Sequence, residues 1–218
     1  IVKGATSALY GSSAATGVVN IITKKAKESI KLIAKRTWGT EQIANQSFDK
    51  INAGNQFVNL RGELFESGIG INLSYVERFS NGLSAVIGEE IDQFKKVNFN
   101  TGFNGKIGSQ FNWQLNWSKV DITSDYDNSF PLEDADFEFS TNLNRYGLNT
   151  QYKYTNGSLN LNAGLQKNKR EYRSSFPTNS QSNYLNIDFF NKYIFNNKFY
   201  SIAGIQYQKE KMVATNDP

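Results

Sequence analysis

Residues 111–117 read Phe-Asn-Trp-Gln-Leu-Asn-Trp, so that a large apolar side chain and an amide alternate at every step. Successive side chains of a β-strand point to opposite sides of the sheet. This spacing therefore predicts a strand with one apolar face and one polar face, placed between two different environments.

The same period of two continues on both sides of this stretch. It appears in about nine segments: 30–35, 58–64, 69–75, 97–104, 111–117, 146–154, 159–166, 185–193 and 203–207. Their polar positions are mostly Asn, Gln, Ser and Lys, and neutral amides suit a wet or hydrogen-bonded surface. We expect an all-β chain of about nine amphipathic strands.

The connections between these segments alternate in length. Four are short and carry Gly or Asn suited to hairpin turns, at 66–68, 108–109, 156–157 and 196–197. Four are long and polar, at about 40–54, 81–94, 123–137 and 174–182. Short turns on one side and long loops on the other are typical of outer-membrane barrels, whereas a soluble sandwich has loops of mixed length.

Aromatic residues lie close to the short turns. The set comprises Phe65, Phe111, Trp113, Tyr152, Tyr154, Phe195, Phe199 and Tyr200. In a membrane barrel such residues form a girdle at the lipid–water interface, and in a soluble sheet they pack as cross-strand pairs. The pattern agrees with both interpretations.

Composition narrows the classes of function. Among 218 residues, hydrophobic types make up 39% and aromatic types 14%, and there is neither Cys nor His. Thiol nucleophiles, imidazole bases and His or Cys metal sites are thereby excluded, and we do not expect an enzyme. The net charge of +4 is scattered along the chain, which argues against a nucleic-acid surface. No apolar run is long enough for a transmembrane helix.

The first 25 residues differ from the rest, because they are rich in Gly, Ala and Ser. Thr6 is placed to cap a helical turn that ends at Gly11, and residues 17–23 read as a buried strand. The order of residues 3–24, Lys-Gly-Ala-Thr-Ser-Ala-Leu-Tyr-Gly, then small residues, then Gly-Val-Val-Asn-Ile-Ile-Thr-Lys, closely resembles the end of the plug domain in TonB-dependent outer-membrane receptors. Ala5 replaces a Pro that is frequent in that family.

The resemblance implies an architecture and a partner. Residues 1–25 would be the C-terminal segment of the plug, and residues 26–218 the first strands of a transmembrane antiparallel β-barrel. The function implied is active uptake of a scarce nutrient across the outer membrane of a Gram-negative bacterium, powered by the TonB–ExbB–ExbD complex. We interpret both ends of the chain as cuts, and expect the TonB-contact segment to lie outside it.

Within the family, the loop lengths and the segment 120–136 are most similar to cobalamin (vitamin B12) transporters. In those proteins, aspartates of extracellular loops bind calcium, and the best positional matches here are Asp121, Asp127 and Asp134. Clustered carboxylates can provide the six to eight oxygens that Ca²⁺ prefers. A solvated acidic loop is the alternative, and the missing regular Asp-x-Asp-x-Asp-Gly spacing favours it over a calcium site.

One basic cluster, Lys167, Lys169, Arg170 and Arg173, falls at the outer end of the seventh strand. It could contact lipopolysaccharide phosphates or an anionic substrate, or it could be a solvated strand extension. Two other functions stay open for the chain as a whole. One is a siderophore or other iron-chelate receptor of the same family, and the other is a soluble β-rich adhesin or surface structural protein.

Overall fold

A computed structural model of the chain describes residues 2–3, 17–18, 29–41, 50–64, 68–81, 84, 86 and 91–216. The strands, in chain order, are β1 (Val2–Lys3), β2 (Gly17–Val18), β3 (Lys31–Gly39), β4 (Ala53–Leu64), β5 (Ile69–Asn81), β6 (Gln93–Ile107), β7 (Phe111–Ser129), β8 (Leu132–Tyr154), β9 (Gly157–Arg173), β10 (Thr178–Ile194) and β11 (Tyr200–Asn216). No described residue is helical.

The strands form two sheets. β1 and β2 pair with each other, and the other strands form one nine-stranded sheet in which spatial order follows chain order, from β3 to β11. Every pairing is antiparallel. The expected all-β fold and the expected number of strands are confirmed, and each predicted segment overlaps one strand of the large sheet.

The predicted tight turns are also confirmed where the structure describes them. Gly68 and Gly108 have φ angles of 71° and 59°, which L-residues with a Cβ adopt at a cost. Residues 155–156 and 195–198 are turns or bends that lead directly into the next strand. Glu66 and Ser67 lie outside the described residues.

The expected long loop at 123–137 was wrong. β7 runs to Ser129 and β8 starts at Leu132, so the two strands continue as a hairpin that turns at residues 130–131. This segment has polar side chains at both alternating positions, and antiparallel pairing satisfies its backbone N–H and C=O groups without a core. The residues expected in this loop therefore belong to longer strands. Short and long connections do not alternate strictly along the chain.

The expected plug segment, residues 1–25, is described only at β1 and β2, where Val2 pairs with Val18 and Lys3 with Gly17. The predicted helical turn after Thr6 lies outside the described residues.

The described part of the chain has almost no interior. Ala53 is the single hydrophobic residue within it that counts as buried, and no large side chain there is fully buried. Leu115 keeps 47% of its surface exposed, while Leu161 and Ile187 are half-buried within the sheet. The large sheet is one layer, with no second sheet stacked on it by the described residues.

Candidate functional site

In each strand, apolar and polar side chains alternate. The register between the strands aligns the apolar side chains on one surface of the sheet and the polar side chains on the other. One row crosses seven strands and consists of Ile71, Phe103, Leu115, Leu148, Ala163, Ile187 and Tyr207. The parallel row beside it continues through Trp113, Thr150, Leu161, Phe189 and Ile205. We name the surface that carries these rows the apolar face. It holds a shallow hollow of about 450 Å³ around Leu115, Leu148 and Leu165.

Aromatic residues border the apolar face at two heights. On the side of the short turns, Phe111 lies opposite Tyr152. Further out, Tyr75 lies opposite Phe99 and Trp117 opposite Tyr146, and the rings of Phe99 and Trp117 meet edge to face at 5.4 Å. The arrangement gives an apolar band between two aromatic borders.

The opposite surface is polar and rich in amides, and we name it the amide face. Its rows include Asn72, Asn116 and Asn186, and beside them Asn104, Gln114, Asn149, Asn162 and Gln206. Several of these side chains bond to one another: Asn59 Nδ2 donates to Asn72 Oδ1 at 2.9 Å, and Gln151 Nε2 to Asn160 Oδ1 at 3.0 Å. These neutral amide pairs order part of the polar surface by hydrogen bonds.

A hollow of about 490 Å³ lies on the amide face, lined by Asn59, Asn72, Asn100, Ser118 and Arg145 among others. Arg145 is exposed there, and its Nε donates to Gln166 Oε1 at 3.0 Å. The lining offers amide donors and acceptors together with one cation. Such a surface can bind a polar segment or a polar solute by hydrogen bonds, and it has no nucleophile or base arranged for covalent chemistry.

At the outer end of the sheet, four carboxylates lie close together, and we name them the acidic cluster: Asp92, Asp125, Asp127 and Asp134. The register shifts between Tyr126 and Asn128, where the single β7 residue Asp127 faces residues 134–136 of β8, so the additional residues of this irregularity lie in β8. Asp127 Oδ2 accepts hydrogen bonds from Ser84 Oγ and from the Val86 N–H, both at 3.0 Å. These bonds hold the segment before β6 against the β7–β8 hairpin.

Asp92 is a buried carboxyl of the acidic cluster. It is 8% exposed, and its Oδ1 has no hydrogen-bond partner among the described residues. Burial raises the pKa of Asp92, and the nearby charge of Asp127 raises it further, while a hydrogen bond with Ser84 opposes the change. Asp92 was not singled out in the sequence, because its burial depends on contacts between segments far apart in the chain.

The three aspartates predicted to bind calcium do not share one place. Asp121 lies on the apolar face of β7, paired with Lys119 at 3.0 Å and hydrogen-bonded to Asn142. Asp127 follows six residues later, about 20 Å further along an extended strand. Asp127 and Asp134 do belong to the acidic cluster, where Asp127 Oδ1 accepts from the Ala135 N–H at 3.4 Å. Within the described ranges, no three acidic side chains are arranged to hold a metal ion.

The predicted basic cluster is divided between the two faces. Lys167 and Lys169 belong to the apolar face, and Arg170 points to the amide face in the row of Thr141 and Ser180. Arg173 pairs with Glu138 at 3.1 Å. The sequence alone missed Lys209 and Lys211, which the register of β10 and β11 brings beside Lys167.

In comparisons with known proteins, no family model matched the chain, and neither did any curated protein or solved structure. Across the described residues, no helix has the length and apolar character needed to cross a membrane.

Proposed function

We propose that this chain is part of the wall of a plugged outer-membrane β-barrel, and that the protein takes up a scarce nutrient through TonB-powered transport. The observation that carries the proposal is the division of one nine-stranded sheet into an apolar face bordered by aromatics and an amide face. Lipid would cover the apolar face, and the amide face would line the lumen around the plug. The likeness of residues 3–24 to the plug end of TonB-dependent receptors supports the same assignment.

The uncovered apolar face is what favours a membrane over water. Soluble monomers rarely expose a contiguous apolar patch larger than a few hundred Å². Here Leu115 and Phe189 are 47% and 43% exposed, and the row that contains Leu115 spans seven strands. A soluble adhesin would need a second layer to bury that surface, and the described residues supply none.

The two edges of the large sheet, β3 and β11, must also be accounted for in lipid. An unpaired backbone group in hydrocarbon costs several kcal/mol, so barrels that cross membranes are closed. Plugged transporter barrels have about 22 strands, more than the nine of this sheet. In the proposal, further strands of the same barrel pair with both edges.

Cobalamin is the proposed substrate, on the basis of the likeness in loop lengths and in segment 120–136 to the cobalamin transporters. The amide face and the hollow around Arg145 are suited to hydrogen-bonded contact with a large polar solute or with the plug. An iron-chelate substrate would use the same architecture, so the substrate has to be separated by an uptake measurement.

The assignment of the two faces is tested by labelling. Because this chain contains no Cys, single cysteines can be placed along β9 at Leu159, Asn160, Leu161 and Asn162 and labelled in the protein expressed from its complete reading frame. We expect labels at Leu159 and Leu161 to be quenched by lipid-soluble quenchers in vesicles, and labels at Asn160 and Asn162 only by water-soluble ones. Uniform accessibility to water at all four positions would exclude the membrane wall.

The transport function is tested separately, in a bacterial strain that lacks its own cobalamin receptor. Expression of the complete reading frame should restore accumulation of radiolabelled cobalamin, and deletion of TonB should abolish it. Accumulation of a ferric siderophore in its place would assign the iron-chelate alternative. Uptake that persists without TonB would contradict the proposed energy source.

A further inference from the structure

Five lysines lie on the apolar face at its outer aromatic border or one row beyond it, and we name them the lysine belt: Lys119, Lys167, Lys169, Lys209 and Lys211. Strand register places Lys119, Asn144, Lys167, Asn183 and Lys211 opposite one another across five strands. Lys209 lies one row closer to the apolar band, opposite Leu185. Amine and amide side chains therefore alternate along one line across the sheet.

The charges of the lysine belt are only partly balanced. Lys119 pairs with Asp121 at 3.0 Å, and Lys169 pairs with Glu171 at 2.5 Å. Lys167, Lys209 and Lys211 are exposed, and the described residues provide none of them with an ion pair. Lys167 and Lys211 are two strands apart, a spacing of about 10 Å. Three unbalanced ammonium groups are thus held within a small area.

The surroundings of these three lysines suggest what neutralises them. The row of Lys209 also contains Leu165, Leu185 and the exposed ring of Tyr146, and it adjoins the row of Lys167 and Lys211 on the side of the apolar band. Tyrosine rings prefer the level of the lipid headgroups, and lysines beyond them extend their ammonium groups toward the phosphates. A solute on its way through a lumen would instead meet the amide face, on the other side of the strands.

We propose that Lys167, Lys209 and Lys211, with the amide of Asn183 between them, bind the phosphate groups of an anionic membrane lipid in the outer leaflet. The inference rests on the proposed function, since it requires lipid against the apolar face. The ammonium groups supply charge-assisted hydrogen bonds to phosphate oxygens, and Asn183 adds a neutral donor. The apolar side chains below them contact the acyl chains of the same lipid.

The test compares two lipids at one position. A fluorophore on Leu185→Cys, placed beside the proposed site, is read in vesicles that contain brominated phosphatidylglycerol or brominated phosphatidylcholine mixed with their unbrominated forms. The competition gives the relative binding constant of the two lipids next to Leu185. We expect at least an about fivefold preference for phosphatidylglycerol, the effect of a single lysine near an anionic surface.

Two triple variants provide the matched comparison. Lys167→Gln, Lys209→Gln and Lys211→Gln together should abolish the preference. Lys96→Gln, Lys106→Gln and Lys153→Gln remove the same charge from the amide face and should leave the preference intact. Equal loss in both variants would overturn the site, because it would reduce the effect to net charge.

Three further outcomes distinguish a lipid phosphate from free phosphate as the ligand, and distinguish failure of the lysine site from failure of the membrane assignment. Quenching by both lipids with no preference overturns the lysine site and leaves the membrane assignment standing. Absence of quenching by either lipid overturns both. Loss of the preference on adding millimolar inorganic phosphate would show a site for the free anion and overturn a lipid site, whereas an unchanged preference supports lipid.

Discussion

The two faces of the large sheet are made by the same strands, yet they differ in how their side chains meet their surroundings. On the amide face, side chains bond to one another, as Asn59 does to Asn72 at 2.9 Å. On the apolar face, Leu115 and Phe189 lie open beside equally apolar neighbours. Many polar groups of the amide face are paired within the sheet, whereas the described residues leave the apolar side chains of the other face uncovered. The difference teaches that stability here depends on what covers one side of a single layer.

The most direct test of the difference between the two faces is to introduce a charged side chain on each face in turn. Leu148 and Asn149 are adjacent in β8 and point to opposite faces. In a bilayer, Leu148→Arg should destabilise the folded protein by about 2–4 kcal/mol, the cost of an arginine near the bilayer midplane. Asn149→Arg should change it by about 0.5 kcal/mol or less, as expected for a solvated position. Denaturant titration in vesicles measures both, and equal effects would refute the division into faces.

The comparison also depends on register, because a slip of one residue would exchange the two faces. The turn that fixes the register of β6 and β7 contains Gly108, with a φ of 59° and no atom within 4 Å of an added Cβ. Gly108→Ala should therefore cost about 1–2 kcal/mol through backbone strain alone. Gly39→Ala is the control, since Gly39 is equally open and lacks the positive φ. Similar losses for both in the same titration would show that the turn conformation is not what matters.

The contribution of single hydrogen bonds on the amide face to stability can be tested one at a time. Asn72→Ala removes one of the two acceptors of Asn59 Nδ2, leaves the other, the Leu73 carbonyl oxygen, in place, and should destabilise the sheet by about 0.5–1 kcal/mol. Asn149→Ala is the matched control, because Asn149 is exposed and makes no side-chain hydrogen bond with the described residues. If the midpoint of unfolding shifts equally in both variants, the amide pairs contribute nothing specific.

The smallest effect on stability is expected at the acidic cluster, at the outer end of the sheet. Because burial raises the pKa of Asp92 in the folded chain, the carboxyl favours folding below its unfolded pKa. That contribution is lost as the pH rises through the raised folded pKa. Hydrogen-exchange protection of residues 91–95, corrected for intrinsic rates, should thus fall as the pH rises above the ordinary pKa range of a carboxyl group. Asp92→Asn should flatten this dependence, whereas the exposed Asp136→Asn should leave it unchanged.

Much of this fold is readable from the sequence, because alternation is a local property. The alternation in residues 111–117 predicts both faces of β7 without knowledge of the strands that pair with it. Gly68 and Gly108 predict turns, because a turn often needs a positive φ that glycine adopts without strain. The extension of β7 and β8 through 123–137 was not predicted, because polar residues at both alternating positions look the same in a loop and in a solvated strand.

The candidate sites were harder to predict, because they depend on register and on non-local contacts. Lys167 and Lys211 are far apart in the chain, and they share a row only through the pairing of β9, β10 and β11. Asp127 and Asp134 come together through a register shift between β7 and β8 that their spacing in the sequence does not predict. Asp92 becomes perturbed only when the segment before β6 meets the β7–β8 hairpin.

The order β3 to β11 has a consequence for how the sheet is made. Each strand pairs only with its neighbours in the chain, so no segment has to be threaded past another. Growth can advance by one hairpin at a time, with the most recent strand acting as the template for the one that follows. Every intermediate in such a sequence has one growing edge, and its backbone groups guide the next addition in the correct direction.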